Sequence, residues 1–502
     1  MDNLITNKKI FGNDAAEDEL PEKLAEYYVS LEDFNDFDDT EDKLLIVRGR
    51  KGTGKSTILS YFSYKLEKEN NFVIKTNGSK LSQYFDNNNT SPNEYINEWQ
   101  KTICSYISLE IGRNIKFASN DDSISLVEYS EIEGFKGRNL IGSLMNRFKI
   151  KVKDFELKNP TVSIPQELLK RYINSDNIDD EIWLFIDDID QTFVNTEDQK
   201  LLLSSFFVAC RYLVSDIPSL KIRTSIRSDV WWAISDNETL DKTSQYIREI
   251  YWSTNGTKQI LNKRVLYYLN QYDNNVTPSK AYQQLFVNYF TWRKKSIFSG
   301  QILHMYSLGR PRWVLQLCKL CIFEAIKLKR KNNLTTKRIN LPLIKLAMPE
   351  YSKIKLNDLI TEYSSECSKL KEVIYSFYGS GARMTTNHLL SKLGEVIKEV
   401  NPIIDKNSHP SVLQLAHFLF RINLISAFTP DNNGDESYYH YEDKPHLLTM
   451  KLNKDDNMNW VIHPTFHVAL NLLDGFKKNS KSQKKQKLEV LPFENSYIEK
   501  KS

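Results

Sequence analysis

Lys43-Leu-Leu-Ile-Val-Arg-Gly-Arg-Lys-Gly-Thr-Gly-Lys-Ser-Thr-Ile-Leu-Ser60 passes from an apolar tetrad through a glycine-rich turn into a second apolar stretch. Gly49, four residues, then Gly54-Lys55-Ser56 fit GxxxxGK[ST]. The flanks supply the setting the motif requires. Leu44 to Val47 predict a buried strand, and Ile58, Leu59, Tyr61, Phe62 and Leu66 predict a helix. Glycines let backbone N–H groups turn inward where a Cβ would crowd an anion, and the helix start adds its dipole and unpaired amides. Gly49, Arg50, Lys51, Gly52, Thr53, Gly54, Lys55, Ser56 and Thr57 are therefore expected to cradle the phosphates of a nucleotide. Lys55 would meet the β- and γ-phosphates as a point charge, and the Ser56 hydroxyl would ligate Mg²⁺. The helix proper is expected from Thr57.

A second stretch, Ile182-Trp-Leu-Phe-Ile-Asp-Asp-Ile-Asp190, predicts a central parallel strand buried on both faces, its carboxylates emerging at the C-terminal edge beside the phosphate loop. Asp187 is expected to hold Mg²⁺, through water, and Asp188 to orient and partly deprotonate the attacking water. Asp190 reads as a turn or helix-capping residue. A further strand over 219–228 ends at Arg227. That guanidinium has two readings, a sensor of the γ-phosphate or a surface partner of Asp229.

The alternation of strand and helix, with Phe72 to Thr76 as another strand and Tyr95 to Ile111 and Glu197 to Leu213 as helices, is an α/β signature. After Tyr251 the expected texture is helical only: Thr257 caps one helix and Ser279 to Trp292 forms another. Leu308-Gly-Arg-Pro-Arg-Trp313 opens a long helix to about Lys331, with Pro311 in its first turn and Arg310 or Arg312 projecting as a lid over the nucleotide. Helices over Leu356 to Tyr378, from Thr385 and over Ser411 to Asn423 follow. A hairpin then joins Ala427-Phe428-Thr429 to Tyr438–Tyr441 through Asp431-Asn-Asn-Gly-Asp435, and Trp460 to His463 makes a third strand, a winged-helix plan. The expected divisions are an acidic segment with a short helix (1–40), a P-loop domain (41–255, insertion about 114–177), a helical lid (256–350), a winged-helix-like α+β domain (355–474) and a basic tail (475–502).

A length of 502 residues, 40% apolar and 12% aromatic, suits two to four globular domains. The net charge of +4 is small but uneven: thirteen acidic side chains face Lys23 alone between Asp14 and Asp42, while six lysines crowd 477–487, both expected as solvated surface. Five irregularly spaced cysteines make no disulfide framework, and Cys318 and Cys321 on an apolar helical pattern read as buried thiols. His463 and His467 lack a third ligand for a metal. No apolar leader and no run of about 18 apolar residues occurs, so a cytoplasmic protein without a membrane partner is expected.

Together, the loop Gly49 to Ser56, the Asp187-Asp188 strand, Thr224-Ser-Ile-Arg227, Gly309-Arg-Pro-Arg312 and the winged-helix plan resemble the STAND and origin-recognition-like branch of AAA+ ATPases. Phe11-Gly-Asn-Asp-Ala-Ala-Glu-Asp-Glu19, Phe185-Ile-Asp-Asp-Ile-Asp190 and Ile226-Arg-Ser-Asp-Val-Trp231 are similar to a group of largely uncharacterised bacterial P-loop ATPases. The resemblance implies ATP and Mg²⁺ as cofactors, triphosphate and metal on Lys55 and Ser56, metal on Asp187, water on Asp188, a sheet sensor at Arg227 and a lid sensor at Arg312. Asp188, where many such enzymes carry Glu, implies slow turnover. Arg248 and Arg264 are candidates for an arginine finger.

The leading expectation is a switch ATPase that reports its nucleotide state to a protein partner or by self-association, in defence or stress signalling as the resemblance suggests. A DNA-binding ATPase gated through the winged helix is the second reading. A small-molecule kinase is the third, and needs neither the lid nor the winged module.

Overall fold

Four apolar side chains in succession cannot alternate between core and solvent, and in a computed structural model Leu44 to Val47 lie inside a parallel sheet, each no more than 1% exposed. The structure describes residues 4–83, 85, 91–114, 125–127, 130, 169, 181–235, 238–271, 276–292, 295–331, 337–404, 407–430, 436–449 and 458–476. They fall into two units, Leu20–Ala25 with Ser30–Ile250, and Met1–Glu19, Glu26–Val29 with Tyr251–Ser502.

The first unit runs β1 (Leu44–Gly49), α1 (Lys55–Lys68), β2 (Phe72–Asn77), α2 (Pro92–Asn114), β3 (Ile182–Asp187), α3 (Glu197–Asp216), β4 (Leu220–Arg227), α4 (Ser228–Ile234) and β5 (Ile247–Glu249). The strand order is β2-β3-β4-β1-β5, with every pairing parallel. The α/β class with a mainly parallel sheet is thus the one expected. One detail differs: β4 stands between β1 and β3, so the aspartate strand lies two inter-strand spacings, roughly 10 Å, from the loop strand.

Register and the two-residue period assign the sheet faces. Leu44, Ile46, Ile182, Leu184, Ile186, Leu220, Ile222 and Ile226 join one apolar core with Trp99 of α2 and Phe206 and Phe207 of α3. The Trp99 Nε1–H is satisfied by the Leu202 carbonyl at 2.9 Å. The opposite face of β4 is polar throughout: Lys221, Arg223, Ser225 and Arg227. Arg223, wholly buried, donates to the carbonyls of Phe37 at 2.7 Å and Asp39 at 2.9 Å and stacks on Trp183 at 4.8 Å. Burial lowers its pKa to about 10, against the opposing pull of Asp42 and Asp38. The acidic side chains Glu32, Asp33, Asp36, Asp39 and Glu41 are exposed as expected, but Phe34 and Phe37 between them are buried, and Asp38 pairs with Lys65.

The second unit contains α5 (Thr254–Asn270), α6 (Pro278–Leu285), β6 (Tyr289–Trp292), β7 (Lys295–Phe298), α7 (Ser299–Tyr306), α8 (Pro311–Arg330), α9 (Leu341–Tyr363) and α10 (Leu370–Tyr375). There follow β8 (Gly381–Thr385), α11 (Thr386–Val400), α12 (Val412–Arg421), β9 (Ile425–Pro430), β10 (Glu436–Tyr439), β11 (Asn459–Ile462) and β12 (Leu473–Phe476).

Several expectations change here. Ser253, not Thr257, caps α5 by accepting from the Gly256 N–H at 3.0 Å. The stretch expected as one helix to Trp292 ends at Leu285, and Tyr289–Trp292 instead pairs antiparallel with Lys295–Phe298. The helix expected over Leu356 to Tyr378 is two: α9 begins at Leu341, crosses the expected 350/355 boundary and stops at Tyr363, and Lys369, at φ 55°, turns the chain into α10. The α+β module holds the expected helices and hairpin in a five-stranded sheet, β10-β9-β11-β8-β12, of which β8 and β12 were not foreseen. The turn 431–435 and nearly all of the insertion and tail lie outside the described residues.

All five cysteines are buried free thiols, and burial pushes those of Cys318 and Cys321 well above the ordinary range. His463 and His467 are buried and held neutral by desolvation. Among the described residues no helix is long and apolar enough to cross a membrane.

Candidate nucleotide site

Helix α1 opens at Lys55, two residues before the expected start, and its N-cap is Gly54 at φ 108°, a conformation that L side chains rarely adopt. Thr196, Ser253, Asn340 and Ser411 cap α3, α5, α9 and α12 with their side chains, whereas Gly54 offers none. The first-turn amides of a 14-residue helix therefore face the loop mouth, with the positive end of the dipole behind them. Lys55 is 8% exposed, and its ammonium folds back onto the Gly49 carbonyl at 3.1 Å. Thr53 ties the turn shut, its Oγ1 donating to the Arg50 carbonyl at 2.7 Å. Arg50 is buried, its guanidinium 5.3 Å from the centre of the Trp232 ring on α4.

At the end of β3 the Asp187 carboxylate is fixed by two donors to one oxygen. Oδ1 accepts the Ser225 hydroxyl and, at 3.0 Å, the Asp188 N–H. Asp188 itself has φ 50°, a left-handed conformation that aspartate visits more readily than most residues and that turns the chain sharply off the strand. Gly78 makes room for that turn, because a Cβ there would sit 2.7 Å from the Asp188 carbonyl oxygen. Carboxylate oxygens of Asp187 and Asp188 lie within 4.8 Å of one another.

Arg227 ends β4 in register with Gly49, the first glycine of the loop. Its Nε lies 3.2 Å from Asp190 Oδ2, and its Nη2 lies 3.7 Å from Asp229. The pairing with Asp229 is thus present, yet both carboxylates are at least 95% buried and the pair stands at the sheet edge of the loop, not on open surface. Asp190, expected as a capping or turn residue, also accepts the Arg227 N–H at 2.7 Å.

The remaining arginines belong to the second unit or the sheet edge. Arg310 is 1% exposed, paired with Glu362 at 3.1 Å and stacked on Trp313 at 4.5 Å, so of the two lid candidates it is the more deeply buried. Arg312 is half-buried, and its Nε reaches the Asp14 carbonyl at 3.4 Å. Arg264 is held by the carbonyls of Phe11 and Asn13 and by the Tyr27 ring, all within its own unit. Arg248, on edge strand β5, lies 3.7 Å from Asp42.

An uncapped helix start, a buried lysine folded into the loop and an aspartate with one oxygen already saturated fit a magnesium-bound phosphate ester chemically. These features and the parallel sheet define the P-loop NTPase fold. No family model and no curated protein matches the chain. Among solved structures it is similar to the ORC2 protein of Aeropyrum pernix, determined as ADPNP-ADP complexes, at 11% identity and a TM-score of 0.36 over 93% of this chain and 97% of that one.

One residue of the site was missed in sequence, and a second was given another role. Ser225 gives no signal on a strand that alternates apolar and polar residues until β3 and β4 are known to be neighbours. Asp190 was noticed, but its partner lies 37 positions away.

Proposed function

We propose that the chain is an ATP-binding conformational switch that hydrolyses its nucleotide slowly. The observation that supports this most is the convergence at one sheet edge of the uncapped phosphate loop, the fixed Asp187 carboxylate and the Arg227 guanidinium, carried by three different strands. Lys55 would leave the Gly49 carbonyl for the β- and γ-phosphates. Ser56 and Asp187 would hold Mg²⁺, which when bound neutralises charge on those phosphates. Asp188 would orient the attacking water and accept its proton, its short side chain reaching less far than a glutamate and keeping turnover slow. Arg227 would stabilise the charge that grows on the leaving group. Arg312 would act as the lid sensor of the γ-phosphate. A contact made with triphosphate and absent with diphosphate supplies the differential free energy a switch needs, read out by a protein partner or by self-association.

Two variants test this. Lys55→Ala should abolish measurable triphosphate binding, and Asp188→Asn should bind normally and stall turnover. Wild-type hydrolysis by Asp188→Asn would reject the assignment of the water. Light scattering of Asp188→Asn with and without ATP then tests the switch, and ADP with inorganic phosphate as sole products excludes a kinase.

A further inference from the structure

We propose that Ser225 is the positioning residue for the metal carboxylate, coupling it to the residue that orients water. The inference rests on the proposed magnesium-nucleotide reading of the same site and goes beyond it by assigning a role on β4, the strand that separates the loop strand from the aspartate strand.

Ser225 is completely buried, on the β4 face that also carries Arg223 and Arg227. Its hydroxyl donates to Asp187 Oδ1, and its oxygen accepts the Asp188 N–H at 3.3 Å, while that N–H also reaches Oδ1 at 3.0 Å. One hydroxyl therefore completes a closed three-membered network. It saturates Oδ1 and leaves Oδ2 as the oxygen turned to a cation. It also holds the Asp188 amide in its left-handed conformation, so the metal carboxylate and the backbone of the water-orienting residue cannot move independently.

Serine supplies a donor and an acceptor on one small side chain, one residue beyond Thr224, where the β3–β4 register ends. Alanine is the right size but has neither function. Partners that orient metal ligands typically contribute tenfold to a hundredfold in metal affinity.

The test reads metal binding without turnover. Mn²⁺ is titrated into the full chain with a non-hydrolysable ATP analogue and followed by electron paramagnetic resonance, while analogue affinity is measured separately in chelator. Ser225→Ala should weaken Mn²⁺ binding about tenfold or more. Analogue binding in chelator and the unfolding temperature should change little, and Ser225→Thr, which keeps the hydroxyl, should restore most of the metal affinity. Equal Mn²⁺ affinity in Ser225→Ala and wild type overturns the role of Ser225 alone, provided Asp187→Asn is weakened. If wild type and Asp187→Asn bind Mn²⁺ equally, the magnesium-nucleotide reading itself falls, and this inference falls with it.

Discussion

The Asp190 carboxylate takes both the backbone N–H of Arg227, at 2.7 Å, and its Nε, at 3.2 Å, through the same oxygen. Ser225 donates in the same sense, from β4 to Asp187 at the end of β3, so β4 and the chain leaving β3 are laced by two hydrogen-bonded links. Asp190 is 2% exposed, and removing it takes from the Arg227 N–H and Nε the acceptor they share. Asp190→Ala should lower stability by about 3 kcal/mol, the usual scale for breaking a buried ion pair. Asp190→Asn keeps an acceptor oxygen and should lose less. Denaturant unfolding of both variants checks this, and equal stability of Asp190→Ala and wild type would show that the link carries no energy.

Arg223 makes a second, separable prediction. It spends its donors on the carbonyls of Phe37, Asp39 and Ile222 and stacks against Trp183 and Phe37, tying the acidic segment to the sheet away from the phosphate loop. Arg223→Ala should destabilise the first unit by about 2–4 kcal/mol through lost packing and stranded carbonyls. It should also open Glu32 and Glu41 to a glutamate-specific protease while nucleotide affinity at low temperature persists. Unchanged digestion at those sites would show that Phe34 and Phe37 hold the segment unaided.

Acid should weaken the second unit. Burial lowers the pKa of His304 to about 4, and that of His467 to about 4 despite its bond to the Ile462 carbonyl. The carbonyl can only accept, so His467 Nε2 carries the proton of a neutral ring. Unfolded histidine titrates near pH 6.5. Between that value and about pH 4 the unfolded chain binds more protons than the folded one, so this stability is complete above pH 6.5 and declines as pH falls toward 4. The loss approaches 3 kcal/mol per histidine, on the order of 1.4 kcal/mol per pKa unit. Unfolding midpoints at pH 7.5, 6 and 5 should fall in that order, and the slope should flatten in His467→Gln. A flat profile would contradict the burial of both rings.

Where one segment carried both period and context, its element was legible in sequence. The apolar run before Gly49 and the aspartates after Ile186 announced strand, loop and strand end without help from partners. What failed was pairing. Nothing local says that β4 inserts between β1 and β3, and therefore nothing local marks Ser225. Tyr289-Phe-Thr-Trp292 falls in a stretch expected as helix, although its aromatic and β-branched composition favours a strand. The break after Tyr363 depends on Lys369 at φ 55°, which lysine does not advertise. In the acidic segment composition announced the exposed carboxylates and not the two phenylalanines, Phe34 and Phe37, that are buried between them.

The α+β module permits a last prediction about nucleic acid. Base reading needs side-chain donors free to enter a groove. On α12, the helix that a winged-helix plan would place there, Gln414 closes a capping box with Ser411, His417 Nδ1 lies 2.9 Å from the Leu447 carbonyl, and Arg421 pairs with Glu366 at 2.6 Å. Leu415, Ala416, Phe418, Leu419 and Phe420 are buried, which leaves little of the helix for a groove. Any duplex retention at low salt should therefore come from the six lysines of 477–487, and deletion of 477–502 should abolish it together with its salt dependence. Arg421→Ala should leave retention unchanged and lower the unfolding midpoint instead, because it strands Glu366. Sequence-selective binding that survives the deletion and is lost in Arg421→Ala would reinstate α12 as a reading helix and favour the DNA-gated ATPase over the protein-directed switch.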